Sequence, residues 1–251
     1  MVFQIKRRAD GSIDQYKARL VAKGFHQQSR VDYAETYSLI VKPITIRTVF
    51  SLAVSYGWPI KQIDVSNDFL HGSLNETIYM AQPPGFVHPQ HPKALYFLKK
   101  AIYGLKQAPH AWFSSLSTHL LEFGFHASTV DSSLFLFNSA HTWLMVLVYV
   151  DDLILTGSSM SALDELLHSL LIAFPIKDLG PLSFFLGVEV TQCAVGIHLS
   201  QHKYIMDLLK KTHMALVKPL TSPMSTSTSL SKYVETTLSN ATMYRNTIGA
   251  L

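Results

Sequence analysis

Two adjacent aspartates, Asp151 and Asp152, lie between two strongly apolar runs, residues 144–150 and 153–156. Each run has the length and β-branched content of a buried strand, so the pattern predicts a hairpin with the acids at its turn. Burying a carboxylate costs several kcal/mol unless it is paired or binds a cation. The hairpin could therefore present acid to a metal ion. Aspartate is also common as an ordinary turn residue. This segment alone does not distinguish a metal site from a turn without function.

A third acid, Asp64, lies near the end of a strand-like segment that starts at Ile60. Polar residues 66–68 break the pattern and place Asp64 at a strand terminus, where carboxylates can gather. If its strand is a neighbour of the double-aspartate hairpin, two or three carboxylates can hold a pair of Mg²⁺ ions, which prefer oxygen ligands. Two such ions about 3.5–4 Å apart stabilise the attacking and the leaving oxygen of a phosphoryl displacement.

Cations that suit a phosphate lie in an N-terminal hairpin predicted from residues 2–6, a turn at residues 9–12 and a strand at residues 16–25. Lys17, Arg19, Val21 and Lys23 share one face of that second strand, because strand side chains alternate. Lysines also protect a solvated edge strand from aggregation. From spacing alone, the solvated edge is the favoured interpretation.

Composition limits the classes of protein. The chain has 251 residues, of which 48% are hydrophobic and 15% charged, which favours one folded domain or two subdomains over disorder. A net charge of +4 is weak evidence for a polyanionic partner. The single cysteine, Cys193, excludes an intrachain disulfide and favours a reducing intracellular compartment. A membrane span is excluded for the hairpin, since its apolar runs are far shorter than about 20 residues.

The remaining elements carry the hydrophobic core. Ser161 is the predicted start of a helix whose stripe, including Leu171, is core. A proline-rich loop at residues 81–92 contains His88 and His91, which lack a full ligand set and are interpreted as surface histidines. A linker or wrapping loop is predicted from residue 219 to 237. Further predicted elements are helices at residues 45–56 and 202–214, a helix that residues 106–109 open and Gly124 caps, and a hairpin of residues 181–191 with 195–200.

Six segments occur in one order that is highly specific when taken together. They are residues 16–25 (YKARLVAKGF), 62–65 (QIDV), 69–72 (FLHG), 103–109 (YGLKQAP), 149–152 (YVDD) and 177–180 (KDLG). Over nearly the whole chain, this series resembles the reverse transcriptase domain of copia-type LTR retrotransposons. The resemblance implies an α+β right-hand polymerase with an antiparallel palm sheet flanked by helices. Its expected parts are fingers (1–60 and 73–110), palm (61–72 and 111–182), a primer-grip hairpin (183–200) and a truncated thumb or connection (201–251).

The resemblance also implies the roles of individual residues. Phe69 corresponds to the residue that stacks under the incoming sugar and excludes a 2′-hydroxyl. The implied sets are catalytic Asp64, Asp151 and Asp152; metal ligands Asp64, Val65 and Asp151; nucleotide contacts Lys17, Arg19, Phe69 and Gln107; and primer grip Phe185, Leu186 and Gly187. With two Mg²⁺ ions, or Mn²⁺, a primer 3′-hydroxyl would attack the dNTP α-phosphate and release pyrophosphate. The implied partners are an RNA template, a DNA primer or RNA–DNA hybrid and dNTPs, without a membrane, in a cytoplasmic virus-like particle.

Three positions depart from the family pattern. Asp68 replaces the usual alanine beside Phe69, and its carboxylate would repel a triphosphate unless it turns away. His110 replaces an arginine, and Leu39 replaces a proline. The chain begins and ends inside patterned segments, so we expect a piece of a polyprotein. The alternatives are a decayed remnant that only binds nucleic acid through its basic surface and a two-metal nuclease, which would need neither sugar gate nor primer grip.

Overall fold

The computed structural model describes residues 1–8, 10–34, 36, 41–193, 196–218 and 241–250. Leu39, the predicted linker at residues 219–237 and Leu251 lie outside the described residues. The chain divides into two units, Met1–Leu182 and Ser183–Leu251. In neither unit does the described part contain a helix with the length and hydropathy needed to cross a membrane.

The first unit mixes strands and helices throughout its length. Its elements are β1 (Val2–Arg7), β2 (Ile13–Arg19), α1 (Pro43–Ser55), β3 (Ile60–Val65), β4 (Ser73–Ala81), β5 (Leu95–Lys100), α2 (Ala108–Phe123), β6 (His126–Ala127), β7 (Leu134–Ser139), β8 (Thr142–Tyr149), β9 (Asp152–Gly157), α3 (Met160–Ala173) and β10 (Ile176–Pro181). Short 3₁₀ turns at Gly24–His26 and Asp68–His71 connect some of them.

A six-stranded sheet in the order β10-β3-β9-β8-β7-β6 forms the centre of this unit. Each neighbouring pair is antiparallel, which agrees with the predicted sheet. The double-aspartate hairpin is confirmed as β8 and β9, joined by the two-residue turn Val150-Asp151 with Tyr149 opposite Asp152. Both strands are almost entirely buried, which explains their continuous apolar runs.

Helices α2 and α3 supply the core that covers one face of the sheet. Alternate strand residues such as Ile63 and Val65 belong to the same buried cluster as Trp112 of α2 and Leu163 of α3. These side chains point to one face because strand residues alternate with period two. The acids at the ends of β3 and β9 are thus attached to a well-packed framework.

Helix α3 corrects two details of the prediction. Its N-cap is Ser159, whose hydroxyl accepts a hydrogen bond from the Ala162 amide at 3.3 Å; Ser161 lies inside the first turn. Leu171 is 49% exposed, because it lies at the edge of the apolar stripe and not at its centre. Helix α2 ends as predicted, with Gly124 in the left-handed conformation at its C-cap.

The N-terminal hairpin of β1 and β2 is shorter than predicted. Strand β2 ends at Arg19, so Lys23 does not continue the row of cations formed by Lys17 and Arg19. The chain leaves the hairpin here because the Ala22 amide donates to the Tyr103 carbonyl at 2.7 Å. The β4–β5 hairpin forms a separate two-stranded sheet, which the pattern did not predict.

The second unit contains a three-stranded sheet of β11 (Phe184–Phe185), β12 (Val188–Cys193) and β13 (Gly196–Ser200). Leu186 and Gly187 form the β11–β12 turn, with φ of 51° and 81°, the positive pair that a tight two-residue hairpin requires. This turn interrupts the single strand predicted over residues 181–191. Helix α4 (His202–Lys211) ends three residues before the predicted Met214, and α5 (Ala241–Ile248) follows.

Candidate active site

Pairing of β3 with β9 brings together acids that are far apart in the sequence. Asp64 lies directly opposite Asp152 across the two strands. The Val65 amide donates a hydrogen bond of 2.8 Å to the Asp151 carbonyl oxygen. All three aspartates predicted from the sequence therefore meet at one end of the sheet, attached to adjoining backbone.

The turn that carries Asp151 has an unusual backbone. Val150 has φ of 51°, a left-handed conformation that is strained for a β-branched residue. The indole Nε1 of Trp112 donates to the Val150 carbonyl at 2.7 Å, and Trp112 is completely buried. A rigid helix thus holds the strained turn in place, with Asp151 exposed and Asp152 half-buried.

The three acids concentrate negative charge. Burial raises the pKa of Asp152, and the charges of Asp151 and Asp64 add to this effect; a hydrogen bond from Gln62 at 3.4 Å opposes it. The ion pairs in the described part of the chain are Arg8–Asp14 and Lys61–Asp164, so no described cation neutralises the three acids. Such a site attracts a cation.

The donor set fits a divalent ion that also binds phosphate. Among the described residues, no group of three or more His, Cys, Asp or Glu side chains forms a metal-binding cluster. Mg²⁺ commonly takes only one or two protein carboxylates and completes its shell with water and substrate phosphates. Asp64 and Asp151 match that requirement. Val65 can contribute only its backbone carbonyl oxygen, because its side chain is apolar and buried.

Two of the predicted nucleotide contacts, Phe69 and Arg19, meet at the ring of Tyr103. The edge-to-face contact between Phe69 and Tyr103 has a centroid distance of 5.1 Å and an interplanar angle of 67°. The Arg19 guanidinium lies over the Tyr103 ring, 5.2 Å from its centroid. Lys17 lies on the same strand face as Arg19, but no described ion pair joins it to this group.

Asp68 is turned into the protein and is only 3% exposed. One carboxylate oxygen accepts a hydrogen bond of 3.0 Å from the Tyr103 hydroxyl. The other is buried and has no hydrogen-bond partner among the described residues. Burial raises the pKa of Asp68 to about 6; the charge of Asp151 adds to the rise, whereas the Tyr103 hydrogen bond and Arg19 oppose it.

Gln107 lies in a different hydrogen-bond network. Its amide nitrogen donates to the Asp32 carbonyl at 3.1 Å, and its amide oxygen accepts from Gln27 at 3.0 Å. The side chain is 3% exposed and joins the start of α2 to the loop at residues 27–32. Direct contact with a nucleotide would require these bonds to break.

The predicted primer-grip residues belong to the second unit. Phe185 is 3% exposed, whereas Leu186 is 37% exposed at the tip of its turn. The turn thus presents one apolar side chain and one glycine outward, from a strand that is fixed by the buried Phe185.

Three residues near the acids were not assigned a role from the sequence. Tyr103 links Phe69, Arg19 and Asp68, Gln62 bonds Asp152, and Trp112 holds the turn at Val150. Trp112 was predicted only as core. Tyr103 lies in the segment YGLKQAP. Its polar hydroxyl beside Gly104 was the sequence feature that could have indicated a role for this residue.

Comparison with known proteins identifies the family of this site. The family described as "Reverse transcriptase (RNA-dependent DNA polymerase)" matches residues 1–226. The chain belongs to this reverse transcriptase family. Its relatives make it a copia-type reverse transcriptase domain of a retrotransposon Pol protein.

Relatives of this reverse transcriptase domain occur in plants and yeast. The retrovirus-related Pol polyprotein from transposon RE1 of Arabidopsis thaliana is 46% identical over 250 residues, 100% of this chain and 17% of the relative. The Pol polyprotein from transposon TNT 1-94 of Nicotiana tabacum is 36% identical over 92% of this chain and 18% of its own length. A putative transposon Ty5-1 protein of Saccharomyces cerevisiae is 31% identical over 75% of this chain and 62% of its own length. The domain thus spans less than one fifth of the two plant polyproteins.

Proposed function

We propose that this reverse transcriptase domain catalyses RNA-directed DNA synthesis by two-metal nucleotidyl transfer from a dNTP to a primer 3′-hydroxyl. The observation that carries the proposal is the juxtaposition of Asp64 with Asp151 and Asp152. The Val65–Asp151 backbone bond and the strand register produce this juxtaposition, and they support a site at which Asp64 and Asp151 would share bound ions.

In this proposal, Asp64, Asp151 and the Val65 carbonyl bind the ions. Two Mg²⁺ ions, or Mn²⁺, supply Lewis-acid activation of the hydroxyl and neutralise charge on the leaving pyrophosphate. Asp152 is half-buried and bonded to Gln62, which suits a catalytic residue that supports the shape and charge of the site. Burial is the largest cause of its raised pKa, and bound cations would relieve the smaller contribution from the charges of Asp151 and Asp64.

The chain's other residues position the nucleotide. Arg19 and Lys17 bind the triphosphate, and Phe69 packs under the sugar and excludes a 2′-hydroxyl. Contact between Phe69, Tyr103 and Arg19 supports a common pocket for sugar and phosphates. Gln107 completes that pocket from the start of α2, where its buried bonds to Gln27 and Asp32 favour a positioning contribution.

The larger architecture follows the right-hand pattern in this proposal. Residues 1–60 and 73–110 form fingers, 61–72 and 111–182 the palm, 183–200 the primer-grip hairpin and 201–251 part of the thumb or connection. The separation of the two N-terminal hairpins from the central sheet and the unit boundary after Leu182 support these limits.

The partners are those of the reaction. They are an RNA template, a DNA primer or RNA–DNA hybrid, and dNTPs, all polyanions that a chain of net charge +4 attracts weakly. Phe185, Leu186 and Gly187 grip the primer end. The retrovirus-related Pol relatives support a cytoplasmic virus-like particle as the place of action.

Primer extension on an RNA template tests the function directly. With Mg²⁺ and dNTPs, we expect extension by the wild-type chain and a decrease of about 100-fold or more for Asp151→Asn, since a preorganised charged group often contributes that much. Glu122→Gln, which changes an exposed carboxylate on α2, is the control and should extend normally. Equal extension by Asp151→Asn would contradict the proposal.

The same assay separates the alternatives. Salt-sensitive template binding without extension by the wild-type chain would identify a nucleic-acid-binding remnant. Shortening of the template or primer, abolished by Asp151→Asn, would identify a nuclease.

A further inference from the structure

Asp68 is a buried acid for which the proposed reaction has no use. We propose that Asp68 is a positioning residue of the nucleotide pocket, because its carboxylate fixes the Tyr103 ring and thereby aligns both Phe69 and Arg19. This inference rests on the proposed function, because it concerns how the enzyme distinguishes a deoxyribose from a ribose.

The orientation of Asp68 is the first step. At 3% exposure, the carboxylate does not face solvent, where a triphosphate would arrive. The Tyr103 hydroxyl, at 3.0 Å, is the described side chain that bonds it. A buried acid with one strong partner holds that partner firmly, since losing the bond leaves a carboxylate unsatisfied.

The fixation of Tyr103 is the second step. Its backbone carbonyl accepts a hydrogen bond from Ala22 at 2.7 Å, and its hydroxyl is bonded to Asp68 at the opposite end of the residue. The backbone of Tyr103 and the outer end of its side chain are therefore both anchored, which restricts movement of the ring. Replacing either partner of the Tyr103–Asp68 bond would release the outer end.

The ring of Tyr103 contacts two residues of the proposed nucleotide pocket, Phe69 and Arg19. Its edge-to-face contact sets the tilt of Phe69, and its face supports the Arg19 guanidinium. Arg19 forms no described ion pair, and its buried Nε has no described hydrogen-bond partner. Arg19 also lowers the pKa of the Tyr103 phenol through its charge and a side-chain hydrogen bond. Its placement therefore depends on the Tyr103 side chain, and its charge is not neutralised by a direct ion pair with Asp68.

The measurement is the ratio of kcat/KM for dATP to that for ATP in RNA-templated primer extension. We expect the ratio to fall about 10-fold in Asp68→Ala and in Tyr103→Phe, the size of effect that one lost hydrogen bond to a charged group produces. Asp68→Asn keeps an acceptor oxygen and should stay within about 3-fold of wild type. Asp68→Ala combined with Tyr103→Phe should be no worse than Tyr103→Phe alone, because both remove the same bond.

Two results would overturn the inference. One is an unchanged ratio in Asp68→Ala. The other is an equal decrease of the dATP KM in Asp68→Ala and Asp68→Asn, which would mean that the carboxylate repels the triphosphate. Glu122→Gln, an exposed change on α2, is the control for altered charge.

A second readout does not require polymerase activity. Burial raises the pKa of the Tyr103 phenol to about 12, and the Asp68 charge and hydrogen bond contribute to the rise. Titration of ¹³Cζ-labelled tyrosine should give a lower pKa for Tyr103 in Asp68→Ala than in wild type, with Asp68→Asn in between; equal values would exclude the anchor. If the wild-type chain does not extend primers, the proposed function fails, and the ratio of dATP to ATP binding constants tests the alignment instead.

Discussion

At the scale of single residues, the molecule uses buried carboxylates in two ways. Asp152 is half-buried beside two other acids, and its pKa is raised. A bound cation would lower that pKa. Asp68 is more deeply buried, and the side chain that bonds it is a neutral phenol, that of Tyr103. Burial, with a smaller contribution from the charge of Asp151, therefore gives Asp68 a raised proton affinity that stability measurements can detect.

The pH dependence of stability tests the environment of Asp68. Its pKa in the folded chain, about 6, exceeds the ordinary 3.8, so protonation favours the folded state. This stabilisation is complete below pH 3.8 and is lost as the pH rises through about 6. From pH 4 to pH 7, the free energy of unfolding of wild type should fall by on the order of 2 kcal/mol relative to Asp68→Asn.

Urea unfolding at several pH values, with EDTA present to exclude divalent ions, measures this difference. Glu122→Gln is the control, because an exposed carboxylate contributes little. A wild-type minus Asp68→Asn difference that does not change with pH would contradict the raised pKa of Asp68.

The hydrogen bond from Trp112 to the strained turn makes a second prediction. Trp112→Phe keeps an aromatic ring but removes the Nε1 donor to Val150 and leaves a small cavity. We expect a loss of about 2 kcal/mol in the free energy of unfolding, together with a lower kcat for extension because Asp151 is less well held. Trp143→Phe is the matched control, since Trp143 is 48% exposed; an equal loss in both variants would refute the role of the bond.

At the scale of elements, the sequence predicted what local patterns encode. The buried strands β8 and β9 have continuous apolar runs, and α2 has a proline in its first turn and a glycine cap, so both were predicted closely. The β4–β5 hairpin was missed because its strands are largely exposed and contain charged residues. Strand β4 nevertheless alternates exposed and half-buried residues, a period-two signal that could have predicted it.

The candidate site was predictable only in part, for a related reason. Asp64 and Asp151 were found at the ends of apolar segments, but the pairing of β3 with β9 is a long-range contact that periodicity does not specify. The family resemblance supplied that contact. The bond between Asp68 and Tyr103 depends on side-chain orientation in this chain, and neither local pattern nor resemblance predicts it.

Close packing of the segment after β2 against Tyr103 and Gly104 makes an element-level prediction. Gly104 has φ of 88°, and a Cβ there would lie 2.2 Å from the Ala22 carbonyl oxygen. Gly180 has φ of 79° with no atom within 4 Å of its Cβ position. Both alanine variants carry the left-handed penalty of about 1 kcal/mol, but only Gly104→Ala adds a steric clash with backbone.

Chemical denaturation of the two variants isolates the clash. We expect Gly104→Ala to be less stable than Gly180→Ala by at least about 2 kcal/mol, since backbone must move. We also expect a lower dATP-to-ATP ratio in Gly104→Ala, because Tyr103 moves with its neighbour. Equal stability of the two variants would show that the segment after β2 is not held closely against Gly104.

At the scale of the whole molecule, the residues with proposed roles are divided between the two units. The acids, Phe69 and Arg19 all belong to the unit Met1–Leu182, whereas the primer-grip turn belongs to Ser183–Leu251. The described core clusters of the central sheet and of the region beside the β4–β5 hairpin contain residues of the first unit only. We therefore expect the first unit to fold without the second, and DNA synthesis to require the proposed primer grip as well.

Truncation tests this division. A chain ending at Leu182 keeps β10, which pairs with β3 along the strand that carries Asp64. We expect it to unfold cooperatively, with a Tm within a few degrees of the first unit in the full chain, and to extend primers poorly because the proposed primer grip is absent.

A chain ending at Ala173 loses β10 and the buried ring of Phe174, which should cost about 3–5 kcal/mol and lower the Tm by about 10 °C. Circular dichroism melts of both fragments decide the matter: equal melting would mean that β10 does not support β3, and an unfolded 1–182 fragment would mean that the first unit requires the second.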